Sequence, residues 1–249
     1  MTSSAPDSLE TSAPQLALTE IQRRIEAACT RAGRDAASVT LIGASKNVAA
    51  PRLSKYFEAG LKHVGENYVP EGQSKIERLK NEAVTWHLIG ALQRNKASAA
   101  VRDFDWIHSV DRLSLARAID NAARGIGKVQ PILLQVNLGE ESSKGGCAPR
   151  NLLDLWRECA ELPQLSVRGL MALPPMSVDA EASRPYFQRL RELRDELRGE
   201  EKGVQSTLSE LSMGMSNDFE IAVEEGATFV RVGTALFGSR VEIVGAGGK

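Results

Sequence analysis

From residue 39 onward, short apolar runs alternate with stretches whose apolar residues recur at helical spacing. The runs are VTLIGAS (39–45), HVGE (63–66), TWHLIG (85–90), WIHSV (106–110), PILLQVNL (131–138), SVRGLMAL (166–173), TLSELSM (207–213) and FVRVG (229–233). Each is short enough to be a strand and nearly continuous in apolar character, as expected where both faces are covered. The clearest helical stretches are Leu113–Ala123, Leu152–Cys159 and Tyr186–Leu197. In the last, Tyr186, Leu190, Leu193 and Leu197 form one stripe, with Ser183 and Pro185 marking its start and Gly199 its end. Upstream, Leu18, Ile21, Ile25, Cys29 and Ala32 predict an amphipathic helix. Thr19 with Gln22 reads as its capping box and Gly33 as its stop.

Strands that alternate with helices pair in parallel through crossovers. Eight of them, several spaced 21–24 residues apart, predict an α/β fold: a single (β/α)8 TIM barrel with an extra N-terminal helix. A doubly wound open sheet is the rival, but the Gly-rich GxGxxG turn of dinucleotide-binding sheets is absent.

Composition narrows the picture. Of 249 residues, 31 are Lys or Arg and 32 Asp or Glu, a net charge of −1. No broad field is available for nucleic acid or an anionic membrane, so an anion must be held by a local site. Cys29, Cys147 and Cys159 are too few and too scattered for a disulfide framework or a zinc site, which predicts a reducing, cytoplasmic setting without a metal. No apolar run approaches the ~18 residues of a membrane span. Residues 1–15 are rich in Ser, Thr and Pro and lack Lys and Arg. They read as a disordered tail rather than a targeting segment, leaving 16–249 as one domain.

In such barrels the site forms where strands end. Strand 1 ends in Ser45-Lys46-Asn47, strand 2 in Gly65-Glu66-Asn67-Tyr68, strand 7 in Ser212-Met213-Gly214-Met215-Ser216-Asn217 and strand 8 in Arg231-Val232-Gly233-Thr234. Lys46 leaves the barrel wall after a mostly apolar run. A lysine so placed suits a Schiff base with an aldehyde; one that snorkels to solvent or salt-bridges is the competing reading. The loops after strands 7 and 8 are the usual phosphate site of this fold, built from backbone N–H groups. Ser216, Asn217 and Thr234 serve equally as helix N-caps. Arg231 faces the interior if Val230 and Val232 face the helices, and it then needs a partner: Glu66, Asp111, or a ligand nitrogen or phosphate. His63, His87 and His108 lack metal-ligand spacing and read as core or rim histidines. Asp111 reads as an N-cap, and Cys147 as a bystander.

Several blocks carry a family likeness: Ala44-Ser45-Lys46, Gly65-Glu66-Asn67-Tyr68, WHLIGALQRNK (86–96), HSVD (108–111), QVNLGEESSKGG (135–146), RGLMALPP (168–175) and LSMGMSNDFEIAVEEGATFVRVGTALFGSR (211–240). Over residues 16–240 the chain resembles the pyridoxal 5′-phosphate (PLP) homeostasis proteins, small barrels related to the N-terminal domain of bacterial alanine racemase. The resemblance implies PLP, the vitamin B6 cofactor, held as an aldimine on Lys46. It implies a phosphate turn at Ser212, Gly214 and Ser216 with Gly233 and Thr234, and Arg231 near the pyridine nitrogen. It places Asn67, His87, Met171 and Met213 around the cofactor. An arginine there keeps the nitrogen unprotonated and weakens the ring as an electron sink. The implied protein is therefore a carrier that maintains intracellular PLP with little or no catalysis, supplies PLP-dependent apo-enzymes and is a monomer. Alternatives are a PLP-dependent amino-acid racemase and a Schiff-base aldolase on a sugar phosphate. The racemases add a C-terminal β-domain, whereas nine residues follow Arg240. Two departures stand out: Asn47-Val48-Ala49-Ala50-Pro51 after the lysine, and Pro70, which predicts a later start for the following helix.

Overall fold

In a computed structural model, which describes residues 12–80, 83–139, 145–200 and 208–238, the expected strands close on themselves. They are β1 (Thr40–Ala44), β2 (His63–Glu66), β3 (Thr85–Leu88), β4 (Trp106–Val110), β5 (Gln130–Val136), β6 (Leu165–Ala172), β7 (Glu210–Ser212) and β8 (Phe229–Val232). Every neighbouring pair is parallel, and β1 pairs with β8, which closes the barrel and removes the open-sheet rival.

Helices α1 (Ala13–Arg31), α2 (Ala50–Glu58), α3 (Val69–Leu79), α4 (Ala97–Asp103), α5 (Leu113–Gly125), α6 (Leu152–Ala160), α7 (Arg184–Glu200), α8 (Phe219–Glu224) and α9 (Thr234–Phe237) surround it. Two cores result. The larger lies between strands and helices and holds Leu53, Phe104, Ile107, Leu190, Val230 and Val232. The smaller fills the barrel with Ile42, Leu133, Met171 and Phe229, against Trp106 and Leu173. Period-2 alternation separates the two sets along β8, where Phe229 and Arg231 point inward.

The extra helix α1 buries Leu18, Ile21, Ile25, Ala28 and Cys29. It lies along α8 and α9, pinned by Arg24–Glu220 at 2.8 Å and Arg31–Glu224 at 2.6 Å. Its start differs from the expected capping box. Ser12 is the N-cap, its hydroxyl accepting from Gln15 N, with Pro14 in the first turn. Thr19 is therefore mid-helix, and helical structure begins inside the stretch 1–15 read as tail; residues 1–11 lie outside the described residues. In α7 the buried stripe begins at Phe187 rather than Tyr186, and Gly199 lies within the helix. Helix α3 starts at Val69, because a proline is tolerated in a first turn that leaves its N–H groups unpaired. Asp111 caps nothing: α5 follows Arg112, and the Asp111 carboxylate instead accepts from Gly146 N at 3.4 Å.

Candidate functional site

Strands β7, β8, β1 and β2 are consecutive around the barrel, so the turns that follow them share one side of its mouth. Lys46 sits in the turn after β1 and is half-buried. It makes no hydrogen bond or ion pair among the described residues; its Nζ lies 5.3 Å from the centre of the exposed Tyr68 ring. Asn67 follows β2 directly. Its backbone packs so closely on Gly90 that a Cβ there would stand 2.2 Å from the Asn67 carbonyl oxygen.

The turn after β7 is shaped by Gly214, at φ 88°, where a Cβ would meet Ala222 at 2.5 Å. Ser216 then reaches across to the next turn. Its hydroxyl accepts from Gly233 N at 3.1 Å and Ala235 N at 3.2 Å, tying the β7 turn to the start of α9 at Thr234. Ser216 thus caps a neighbouring helix. Ser216→Ala removes the acceptor for both N–H groups and is expected to lower stability by ~1 kcal/mol, read as a Tm fall of ~2–4 °C.

Arg231, at 4% exposure, is the central charge. Neither expected acidic partner reaches it. Its Nη1 donates to Ser212 Oγ at 2.5 Å and its Nη2 to the Ala172 carbonyl at 3.0 Å, so its hydrogen bonds go to neutral oxygens, while the buried Asp218 carboxylate acts on it through space. Burial pushes the guanidinium down to about 10. Glu66 is instead committed beneath the Lys46 turn. Lys75 Nζ donates to Glu66 Oε1 at 2.6 Å, Glu71 Oε1 at 2.8 Å and the Ser45 carbonyl at 2.6 Å, and Ser45 Oγ also donates to Glu66. Asn47 N donates to Glu71 at 2.7 Å, which fixes the turn that carries Lys46. Sequence reading missed Lys75; a lysine four residues after Glu71 on a helix following Glu66 was its only signal.

Burial pushes the Glu66 carboxyl above its ordinary 4.5, outweighing Lys75 and Ser45. Folding then binds a proton that the unfolded chain releases, so this contribution to stability is full below pH 4.5 and is lost as pH rises through the raised value. Glu66→Gln, which cannot titrate, is expected to flatten that descent in denaturant unfolding measured across a pH series. At neutral pH it should lower stability by ~1.5–3 kcal/mol, the worth of the charge-assisted bond from Lys75.

The remaining expected residues divide. Met171 is buried in the barrel interior beside Ser212 on β7. Met213 follows the inward-pointing Ser212 and so packs with Leu211 in the helix-facing core, turned away from Met171. His87 is fully buried with both ring nitrogens engaged by His63 and His108. All three cysteines are free and buried, and burial pushes Cys147 up to about 11 and Cys159 to about 12, so both stay inert thiols. Residues 140–144 of the block after β5 lie outside the described residues. Among those described, no group of three His, Cys, Asp or Glu side chains is placed to hold a metal, and no helix is long and apolar enough to cross a membrane.

What the mouth offers, among the described residues, is a primary amine that makes no hydrogen bond or ion pair, a buried cation whose hydrogen bonds go to neutral oxygens, and backbone N–H groups at two adjoining turns. That set fits an anionic aldehyde with an acceptor on its ring: the amine can condense, the N–H groups suit a phosphate, and the guanidinium suits a ring nitrogen.

Comparison with known proteins bears on this set. The family model described as the alanine racemase N-terminal domain matches residues 16–241. A protein of Aquifex aeolicus named pyridoxal phosphate homeostasis protein is 47% identical over 223 residues, 90% of this chain and 96% of its own. A Pseudomonas aeruginosa protein of the same name is 42% identical over 224 residues, 90% and 94% respectively. The solved structure of PipY from Synechococcus elongatus PCC7942, with PLP bound, superposes with a TM-score of 0.77 at 40% identity, covering 88% of this chain and all of that one. Alanine racemase of Clostridium difficile, at 15% identity and a TM-score of 0.70, covers 94% of this chain and 58% of its own; it shares the fold.

Proposed function

Because the chain belongs to the pyridoxal phosphate homeostasis protein family, we propose that it binds pyridoxal 5′-phosphate at this mouth and maintains its supply, with little or no catalysis of its own. One observation carries the reading. Arg231 is buried with its hydrogen bonds going to neutral oxygens and the buried Asp218 carboxylate acting on it through space; it stands on the strand beside β1, whose end bears an amine that makes no hydrogen bond or ion pair among the described residues. A buried guanidinium has more donors than these two oxygens accept, and a ring nitrogen would supply a further acceptor.

When bound, the cofactor supplies an aldehyde that condenses with the Lys46 amine with loss of water, and an electron-withdrawing ring. The chain's residues do the rest. Lys46 anchors, while Ser216, Gly214, Gly233 and Thr234 shape the turns for the phosphate. Asn67 and Met171 line the remaining wall. Toward the ring nitrogen Arg231 presents donors and keeps its proton at neutral pH, since burial lowers it only to about 10. That withholds the proton which would make the ring a strong electron sink, and so supports a carrier over a racemase. Apo-enzymes that need the cofactor are the natural recipients, and a monomer with an open mouth serves them.

The test is reconstitution with the cofactor, a visible spectrum before and after borohydride, and peptide mapping. A visible band that borohydride abolishes, with the label on Lys46, is expected. A colourless product, or a label on another lysine, would sink the reading. Loaded protein should also restore activity to a cofactor-depleted enzyme while showing no turnover with the common amino acids.

A further inference from the structure

The three histidines form a continuous file through the barrel. His63, the first residue of β2, sets its Nδ1 3.1 Å from His87 Nε2. His87 Nδ1 lies 3.0 Å from His108 Nε2, and His108 Nδ1 lies 2.9 Å from Ser212 Oγ. Ser212 is the residue that receives Arg231 Nη1. The file therefore runs from a half-buried imidazole at the N-terminal end of β2, past two fully buried ones, to the guanidinium at the mouth. Aromatic rings wall it in: Phe229 stands 5.6 Å from the His87 ring and 5.4 Å from that of His108, and Trp106 stacks on His87 at 6.1 Å.

Burial pushes His87 down to about 3 and His108 well below 6.5, so each is a neutral ring with one N–H and one lone pair. Arginine only donates. In one polarity Ser212 accepts from Arg231 and donates to His108 Nδ1. His108 Nε2–H then donates to His87 Nδ1, and His87 Nε2–H to His63 Nδ1. Every group is satisfied, and the file ends on His63 Nε2–H at the rim. In the reverse polarity Ser212 accepts twice and its own buried proton has no acceptor. An unpaired buried hydroxyl disfavours that arrangement by roughly 5- to 150-fold.

We infer that His63, His87 and His108 form a one-way hydrogen-bond file, each as its Nε2–H tautomer, whose direction is set by Arg231 and which positions the guanidinium through Ser212. They are positioning residues, two to four links from the cofactor. The rim end gives the file an input. A protonated His63 carries hydrogens on both nitrogens, so its Nδ1 becomes a donor facing a donor on His87. The contact is restored only if all three links reverse, which frees the Ser212 proton and leaves Ser212 accepting from both His108 and Arg231. No charge enters the barrel. The charged groups acting on His63 are Lys62, which opposes protonation, and Asp105, which favours it; His87 is the imidazole it faces. Burial and Lys62 hold its titration below the ordinary 6.5.

The effect on the cofactor rests on the reading of the site given above; the tautomers do not. In 15N NMR of cofactor-free protein near neutral pH, all three rings should show a protonated Nε2 and a bare Nδ1. A protonated Nδ1 on His108 or His87 would overturn the inference. Arg231→Met removes the obligate donor, and the same spectra should then show mixed tautomers; unchanged tautomers would count against Arg231 as the source of direction. In loaded protein the visible band should shift in one titration below pH 6.5 that vanishes in His63→Phe. A titration that survives in His63→Phe would overturn the rim input. A protein that never takes up cofactor would instead remove the carrier reading and leave the NMR result standing.

Discussion

Lys46→Ala is expected to abolish borohydride-trapped cofactor completely while leaving the fold intact. The separation follows from how Lys46 is held. Among the described residues its amine makes no hydrogen bond or ion pair, and it faces the Tyr68 ring at 5.3 Å. At an exposed site such a contact is worth ~0.5–1 kcal/mol, which bounds the stability cost. The turn is fixed by main-chain and neighbouring groups, Asn47 N to Glu71 and the Ser45 carbonyl to Lys75, none of which uses the Lys46 side chain. The variant should therefore unfold within ~1 kcal/mol of the parent, and any cofactor it retains should wash out on dialysis. Lys46→Arg sharpens the test. It keeps charge and length but has no amine that can condense, so it too should yield no trapped product. Trapped cofactor in either variant would move the anchor elsewhere.

The fold was legible because barrel strands covered on both faces leave apolar runs bounded by polar turns, and each of the eight runs overlaps an observed strand. Termini were less legible because local signals compete. The Thr19 box was a real sequence pattern, but Ser12 and Pro14 begin the helix earlier. Pro70 predicts a later helix start, yet the first turn of α3 has no use for its missing N–H and the helix begins at Val69. Within the site, Lys46 and Arg231 were visible as polar residues ending apolar strands. The resemblance places Met213 around the cofactor, while the structure packs it in the helix-facing core; motif order does not record which way a side chain turns once the strand stops. The histidine file left one overlooked signal. His63, His87 and His108 are 24 and 21 residues apart, one strand–helix repeat each. The strand register sets His87 opposite Gly65 and Trp106, two residues from His63 and His108, so the three rings meet on a diagonal that sequence spacing alone does not show. Lys75 and Glu66 were hidden for the same reason: pairing of a helix lysine with a strand carboxylate depends on docking, which periodicity does not carry.

Arg231→Met should separate stability from binding in opposite directions. In the empty protein the guanidinium is desolvated, lowered to about 10 and bound only by Ser212 and the Ala172 carbonyl. A thioether of similar reach removes that desolvation cost and packs against Ile42, its β1 neighbour. By analogy with buried charges replaced by apolar residues, the empty variant should be unchanged or stabilised by up to ~4 kcal/mol. The offset is that Ser212 and the Ala172 carbonyl each lose a donor, ~1–3 kcal/mol if water does not replace it. Binding should move the other way. A hydrogen bond from a charged donor is worth ~1.5–3 kcal/mol, so cofactor affinity should fall by roughly 10- to 150-fold. Lys46 is untouched, so borohydride should still trap what binds at saturating cofactor. Thermal unfolding with and without cofactor reads both signs: a Tm equal to or above the parent when empty, and a smaller rise on loading. If the empty variant is strongly destabilised, Arg231 is a structural tie. If loading is unimpaired, the guanidinium does not face the ligand. Only the paired outcome marks a charge that the fold keeps at its own expense for a ligand that supplies what the barrel interior withholds.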